Sequence, residues 1–151
     1  MLSSCQVPFL SSYKITLDDN SGSGGGAALY WKVGSQEGEN GIYSDDLCTV
    51  PATSVGTPRR SSYAFDGYYN GTSTLGEKYV NFDGSLADAI YRLSLTGNKT
   101  IHAKWVSAAK ITVDPKTGSG GTTVFYFNTV SGKFFSDELL KNAITAIAPM
   151  K

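Results

Sequence analysis

The sequence predicts an α+β fold made of one complete repeat and about half of a second, and three observations carry that prediction. Seventeen glycines, nine tyrosines and seven phenylalanines in 151 residues, on a background rich in Ser, Thr and Asn, are the composition of short strands joined by turns. The chain also repeats itself: Lys14-Ile15-Thr16-Leu17-Asp18-Asp19-Asn20-Ser21-Gly22-Ser23-Gly24-Gly25 returns as Lys110-Ile111-Thr112-Val113-Asp114-Pro115-Lys116-Thr117-Gly118-Ser119-Gly120-Gly121, the kind of self-similarity that marks repeat architectures. Finally, Leu140, Ala143, Ile144 and Ile147 fall at i, i+3, i+4 and i+7, the apolar stripe of a helix closed by Pro149.

Taken in order, residues 1–12 are an N-terminal extension, 13–106 a complete repeat and 107–151 the first half of another. The complete repeat opens with period-2 alternation that puts Tyr13, Ile15 and Leu17 on one strand face. A glycine-rich turn leads to a second strand with Leu29, Trp31 and Val33 on one face, so the pair is a hairpin. Leu29-Tyr30-Trp31 answers Phe125-Tyr126-Phe127, and after a four-residue gap Tyr43-Ser44-Asp45-Asp46-Leu47 answers Phe135-Ser136-Asp137-Glu138-Leu139. Ser44 and Ser136 read as N-caps with acidic residues in the first turn, the first of these helices cut short by Pro51. Pro58-Arg59-Arg60 answers Pro149-Met150-Lys151. The complete unit adds strands at Tyr63–Tyr69 and Lys78–Phe82, a helical stripe in Leu86, Ala89, Ile90 and Leu93, and a last strand from Thr100 to Trp105. Tyr63, Phe65, Trp31 and Trp105 are the expected core aromatics.

Composition also excludes. Lys+Arg and Asp+Glu are balanced at 13 each, so there is no electrostatic footprint for nucleic acid or for an anionic membrane surface. No apolar run is long enough to insert into a membrane, and residues 1–5 carry no signal-peptide pattern. Two cysteines, Cys5 and Cys48, make no disulfide framework, although a bridge between them is open in an oxidising compartment. A single histidine cannot supply a zinc set.

The series Lys14 to Gly25, then Pro58-Arg59-Arg60-Ser61-Ser62-Tyr63-Ala64-Phe65-Asp66-Gly67-Tyr68-Tyr69, then Asn98 to Trp105, resembles the Listeria–Bacteroides repeat, the internalin B-repeat type of bacterial surface proteins. The middle pattern rests on Pro58, Arg59 or Arg60, Tyr63, Phe65, Gly67 and Tyr69, and the closing one on Ile101, Ala103, Lys104 and Trp105. Ser62 stands where the family has Gly, Tyr68 where it has Trp, and residues 83–96 are longer than usual. The resemblance implies a β-grasp-like unit, a small mixed sheet with a short helix across one face. It also implies an extracellular or cell-surface bacterial protein whose repeats serve adhesion, extension or assembly, with no catalytic residues. The alternative is a carbohydrate- or protein-binding accessory domain of a secreted enzyme.

The residues themselves offer no catalytic set and no cofactor or metal site. His102 is the sole histidine and alternates with Ile101 and Ala103, an ordinary outward strand position. Asp18-Asp19-Asn20 before Gly22 lacks the bidentate Glu of a calcium loop, and the glycine run lacks the Lys-Ser/Thr of a phosphate loop. Asp45, Asp46, Asp66 and Asp83 are explicable as cap or turn residues. Cys48 aligns with Leu140 and reads as a buried small hydrophobe. The best candidate for ligand binding is a sheet face carrying Tyr30 and Lys32, joined by Tyr68, where the tyrosines present aromatic rings with polar tips that suit protein or glycan partners. The half repeat should not stand alone, because a hairpin with one helix is marginal in water. The first unit, the stretch Cys5–Leu10 or a neighbouring chain are the candidates to complete its sheet. Strand donation by a neighbour, head to tail, is the expected solution, and it would make the protein a filament subunit.

Overall fold

The computed structural model describes residues 12–35, 41–71, 76–116 and 118–145. Among these residues ten strands form two sheets: β1 (Ser12–Asp18), β2 (Ala28–Lys32), β3 (Ile42–Tyr43), β4 (Tyr63–Asn70), β5 (Lys78–Asn81) and β6 (Lys99–Ser107) make the first, and β7 (Ala109–Val113), β8 (Thr123–Asn128), β9 (Lys133–Phe135) and β10 (Ala143–Ile144) the second. The six-stranded sheet runs β3-β2-β1-β6-β4-β5 and the four-stranded sheet β10-β9-β8-β7. All named pairings are antiparallel except β1 with β6, which is parallel with Leu17 beside Ile101.

The predicted α+β class is overturned. Strand covers 47% of the described residues and helix 4%, the latter a single 3-10 turn at Asp88–Arg92 that tucks Ala89 and Ile90 into the core. The helix expected from Leu140 onward does not form. Leu140 sits at φ 54°, in the left-handed region that ends a right-handed helix. The Asp137 carboxylate accepts the backbone N–H groups of Leu139, Lys141 and Asn142, a local alternative to helical hydrogen bonds. The chain then continues as β10, with Ala143 opposite Phe135. Ile147 and Pro149 lie outside the described residues. The apolar spacing that mimics a helix is shared between a turn and a strand.

The first copy does the same at Asp45. Its carboxylate accepts the N–H groups of Thr49 and Val50, Cys48 takes φ 54°, and the Ser44 amide donates to the Val50 carbonyl at 2.9 Å as the Ser136 amide does to Asn142 at 3.0 Å. Pro51 therefore cuts no helix; it bridges to Tyr43 as Ala143 does to Phe135.

The main core lies on one face of the first sheet. Ile15, Leu17, Leu29, Trp31, Ile42, Phe65, Tyr68, Val80, Ile90 and Ile101 are buried together, and Trp105 packs on them half-buried. Two core expectations need correction. Tyr63 is half-buried outside this cluster, under the Arg60 guanidinium at 4.1 Å, and Val33 has left β2 for a turn. Tyr68 was expected on the open face, yet it is fully buried. The reason is a bulge: β4 loses register against β6 between Phe65 and Gly67, and one extra residue reverses the alternation beyond it. Gly67, at φ 142° with the Val80 carbonyl where a Cβ would sit, permits that kink.

Candidate functional site

The geometry that distinguishes this chain lies where its two sheets meet. β6 passes into β7 through Ala108 alone, so the second sheet begins beside the start of β4. There the Asp137 turn is pressed against residues 59–64. The Arg59 guanidinium donates to the carbonyls of Leu139 and Leu140 at 3.2 and 2.8 Å. The Ser62 amide donates to the Glu138 carbonyl, and the Ser62 carbonyl accepts the Ala108 amide. Ala64, fully buried, packs with Phe135 and Leu140, and Ala108, Tyr126 and Val130 close the cluster. By capping the amides of its own turn, Asp137 aims three carbonyls outward at donors of the first unit. Burial pushes the Asp137 carboxyl up, but the Asn142, Lys141 and Leu139 amides outweigh it and hold it below the usual range.

Tyr126 and Phe135 are the repeat counterparts of Tyr30 and Tyr43. The second unit thus packs on the first through the same sheet face that sequence reasoning picked out as the binding surface of the first. Tyr30 is half-buried and Lys32 exposed on that face; Tyr43 lies opposite Tyr30 across the β2–β3 pair. Beside them the Asp45 turn carries Leu47 at 72% exposed, and the Ser12 hydroxyl donates to the Asp46 carbonyl at 2.7 Å. Hydrogen bonds from Val50 and Thr49 hold the Asp45 carboxyl below its ordinary value. Tyr68 does not belong to this surface. Its hydroxyl donates to Asp19 at 2.6 Å, and burial together with that carboxylate pushes its pKa well up.

Several further polar groups are engaged within the fold. Asp18 accepts the Asn20 amide and lies 2.8 Å from His102, and both contacts lower its pKa. Asp19 takes Tyr68 and the Gly25 amide, so the acidic stretch before the glycine run closes a turn. Asp66, at the bulge, accepts Tyr69 at 2.7 Å and pairs with Lys78 and Lys104 at 3.2 and 3.4 Å. Both ammonium groups also lie over the Tyr69 ring. Burial raises the Cys48 thiol pKa, the wrong direction for a reactive thiolate; Cys5 lies outside the described residues. Among the described residues no cluster of His, Cys, Asp or Glu could hold a metal, and no helix is long and apolar enough to cross a membrane.

Sequence reasoning missed Arg59, Ala64 and the aspartate caps. The signal for the caps was present: Ser-Asp recurs at the same place in both copies, a pattern assigned to helix N-termini. Nothing in the one-dimensional pattern marked Ala64, whose burial exists only because a second sheet covers it. No family model, curated protein or solved structure matches the chain.

Proposed function

We propose that this chain is a non-enzymatic repeat module of a bacterial cell-surface or secreted protein, serving extension, adhesion or self-assembly. One observation carries the reading: two sequence-related units are docked, the second using its Tyr126/Phe135 face and Asp137 turn on Ala64, Arg59 and Ser62 of the first. A unit that both offers and accepts such a joint is suited to stacking. The family resemblance supports the same reading, and Ser62, where that pattern has Gly, takes φ 65°, a conformation that favours glycine. The sole histidine is engaged by Asp18 with no nucleophile in the pair.

A second reading, a glycan- or protein-binding accessory domain, is favoured by Tyr30 and Lys32 side by side on β2. A glycan array probed with the full chain separates the two. Specific binding that disappears in Tyr30→Ala establishes the accessory domain. No binding, with X-ray scattering showing a fixed two-unit arrangement that loosens in Arg59→Ala, supports the module.

A further inference from the structure

The first sheet is assembled from two halves of the chain. Residues 12–43 supply β3-β2-β1 and residues 63–107 supply β6-β4-β5, and among the named strands only β1 and β6 pair across the divide. That pairing is also the parallel one, with Ile15 beside Lys99, Thr16 beside Thr100, Leu17 beside Ile101 and Asp18 beside His102. Each strand is held on its far side by an antiparallel partner, β1 by β2 over residues 12–16 and β6 by β4 over residues 101–107. A parallel ladder in this position has a mechanical consequence. The chain enters β1 at Ser12, before the first ladder pair, and leaves β6 at Ser107, beyond the last. Tension between these points draws β1 toward its start and β6 toward its end, so the two strands are loaded along their length in opposite directions.

Side chains carry this seam beyond the ladder at both ends. The Lys14 amide donates to the Asn98 side-chain oxygen at 2.9 Å, ahead of the first pair. His102 Nδ1 lies 2.8 Å from Asp18 Oδ2 at the last pair. Past it, the Asn20 side-chain amide donates to the Ala103 carbonyl at 2.9 Å. The Trp105 indole N–H reaches the Asp19 and Asn20 carbonyls at 3.1 and 2.9 Å. The joint therefore runs over residues 14–20 on one side and 98–105 on the other. Ile15, Leu17, Ile101 and Ala103 are buried along its inner face, so the ladder is closed to water on that side. None of these polar groups belongs to the contact between the two units.

We propose that the first unit is a load-bearing element, in which tension carried by the chain between Ser12 and Ser107 is borne in shear by the β1–β6 seam. This rests on reading the chain as an extension module and specifies what that module does under load. The bonds of a parallel ladder are evenly spaced, so sliding one strand along the other strains all of them, and the side-chain bridges, together. Peeling a strand away from one end strains a single pair at a time. Resistance therefore depends on the direction of pull, and β6 offers both directions. A pull between residues 12 and 107 shears it against β1. A pull between residues 61 and 107 peels it from β4, because Tyr63 lies opposite Ser107 at the same end of that antiparallel pair.

The test is single-molecule force spectroscopy on the full chain, with click-chemistry handles at Ser12 and Ser107 for shear or at Ser61 and Ser107 for peeling. Forced unfolding is governed by the unfolding barrier along the pull, so at one loading rate the shear force should exceed the peeling force at least about twofold. A second measurement uses Asn20→Gly combined with His102→Val, which removes the Asn20–Ala103 and Asp18–His102 bridges and keeps a residue suited to the φ of 45° at position 20. Its shear force should fall while its peeling force stays at the parent value. Equal forces in the two geometries of the parent overturn the load-bearing seam. A variant that lowers both forces in the same proportion also overturns it, because the loss is then one of general stability. Either failure leaves the module reading standing, since the glycan array and the scattering of Arg59→Ala decide that separately.

Discussion

The first and second units begin with nearly the same sequence and fold it the same way, yet they bury different faces. β1–β2 and β7–β8 pair in matching register, Ile15 with Leu29 and Ile111 with Phe125. Asp18 and Asp114 each accept the amide two residues on, and Asp45 and Asp137 each accept the amides four and five residues on. What differs is what lies on top. Side chains of β6, β4 and the 3-10 turn, Ile101, Phe65, Tyr68 and Ile90, share a buried cluster with Ile15; among the described residues nothing equivalent covers Ile111. Instead the second unit buries its opposite face, Phe135 and Leu140, on Ala64. Local hydrogen bonding shapes a hairpin and its turn, and burial is conferred by whichever strands arrive from elsewhere.

The sharpest way to break this comparison is to truncate the matched isoleucines. Ile15→Ala should cost about 3–4 kcal/mol, the usual loss for a fully buried isoleucine, and Ile111→Ala less than about 1 kcal/mol in the monomer. Urea titrations measure both; similar values would mean that β7 is covered after all. Acid should also act unequally. Asp18, Asp45, Asp66 and Asp83 in the first unit and Asp137 in the second all have carboxyl pKa values below their ordinary range. A carboxyl lowered on folding contributes stability that is present above its unfolded value, about 4, and lost as pH falls through the folded one. The first sheet should therefore lose more stability than the second as pH falls below about 4, read by amide exchange in each. Asp66→Asn, which removes the partner of Lys78 and Lys104, should flatten that profile; an unchanged profile would place the acid sensitivity elsewhere.

Smaller changes sharpen the joint. Arg59→Ala removes two hydrogen bonds from a charged donor and should cost about 1–2 kcal/mol, with faster exchange at the Ser62 and Ala108 amides. Equal exchange in variant and parent would show that the turn is held by the Ala64 cluster alone. Ser62→Gly should stabilise the protein, by at most about 1 kcal/mol, because the φ of 65° costs serine what it does not cost glycine. A loss of stability would instead assign the Ser62 side chain a contact of its own.

How far the sequence could be read follows from which interactions are local. The repeat and its hairpins were legible, because alternation and turn chemistry act within a few residues. Trp31 and Phe65 were expected in the core, and alternation put Ile15 with Leu17 and Leu29 with Trp31 on shared faces; all five are buried together. The same logic failed at Tyr68, since parity holds only while the ladder is regular and the bulge at Asp66 reversed it. It failed again after Asp137, where an apolar spacing shared by a turn and a strand imitated a helix. A carboxylate that caps its own following amides competes with the helix over the same few residues, and Leu140, held at positive φ beneath Arg59 and against Ala64, decides in favour of the turn.

The sequence by itself determined that two related units follow one another, each opening with a hairpin and a Ser-Asp turn, because hydrogen bonds that reach two to five residues are encoded where they form. Only the tertiary structure decided which face each hairpin buries. That choice depends on strands brought in from 84 and 71 residues away, Leu17 against Ile101 and Ala64 against Phe135. The free energy of covering an apolar face belongs to the pair of surfaces and to neither segment alone.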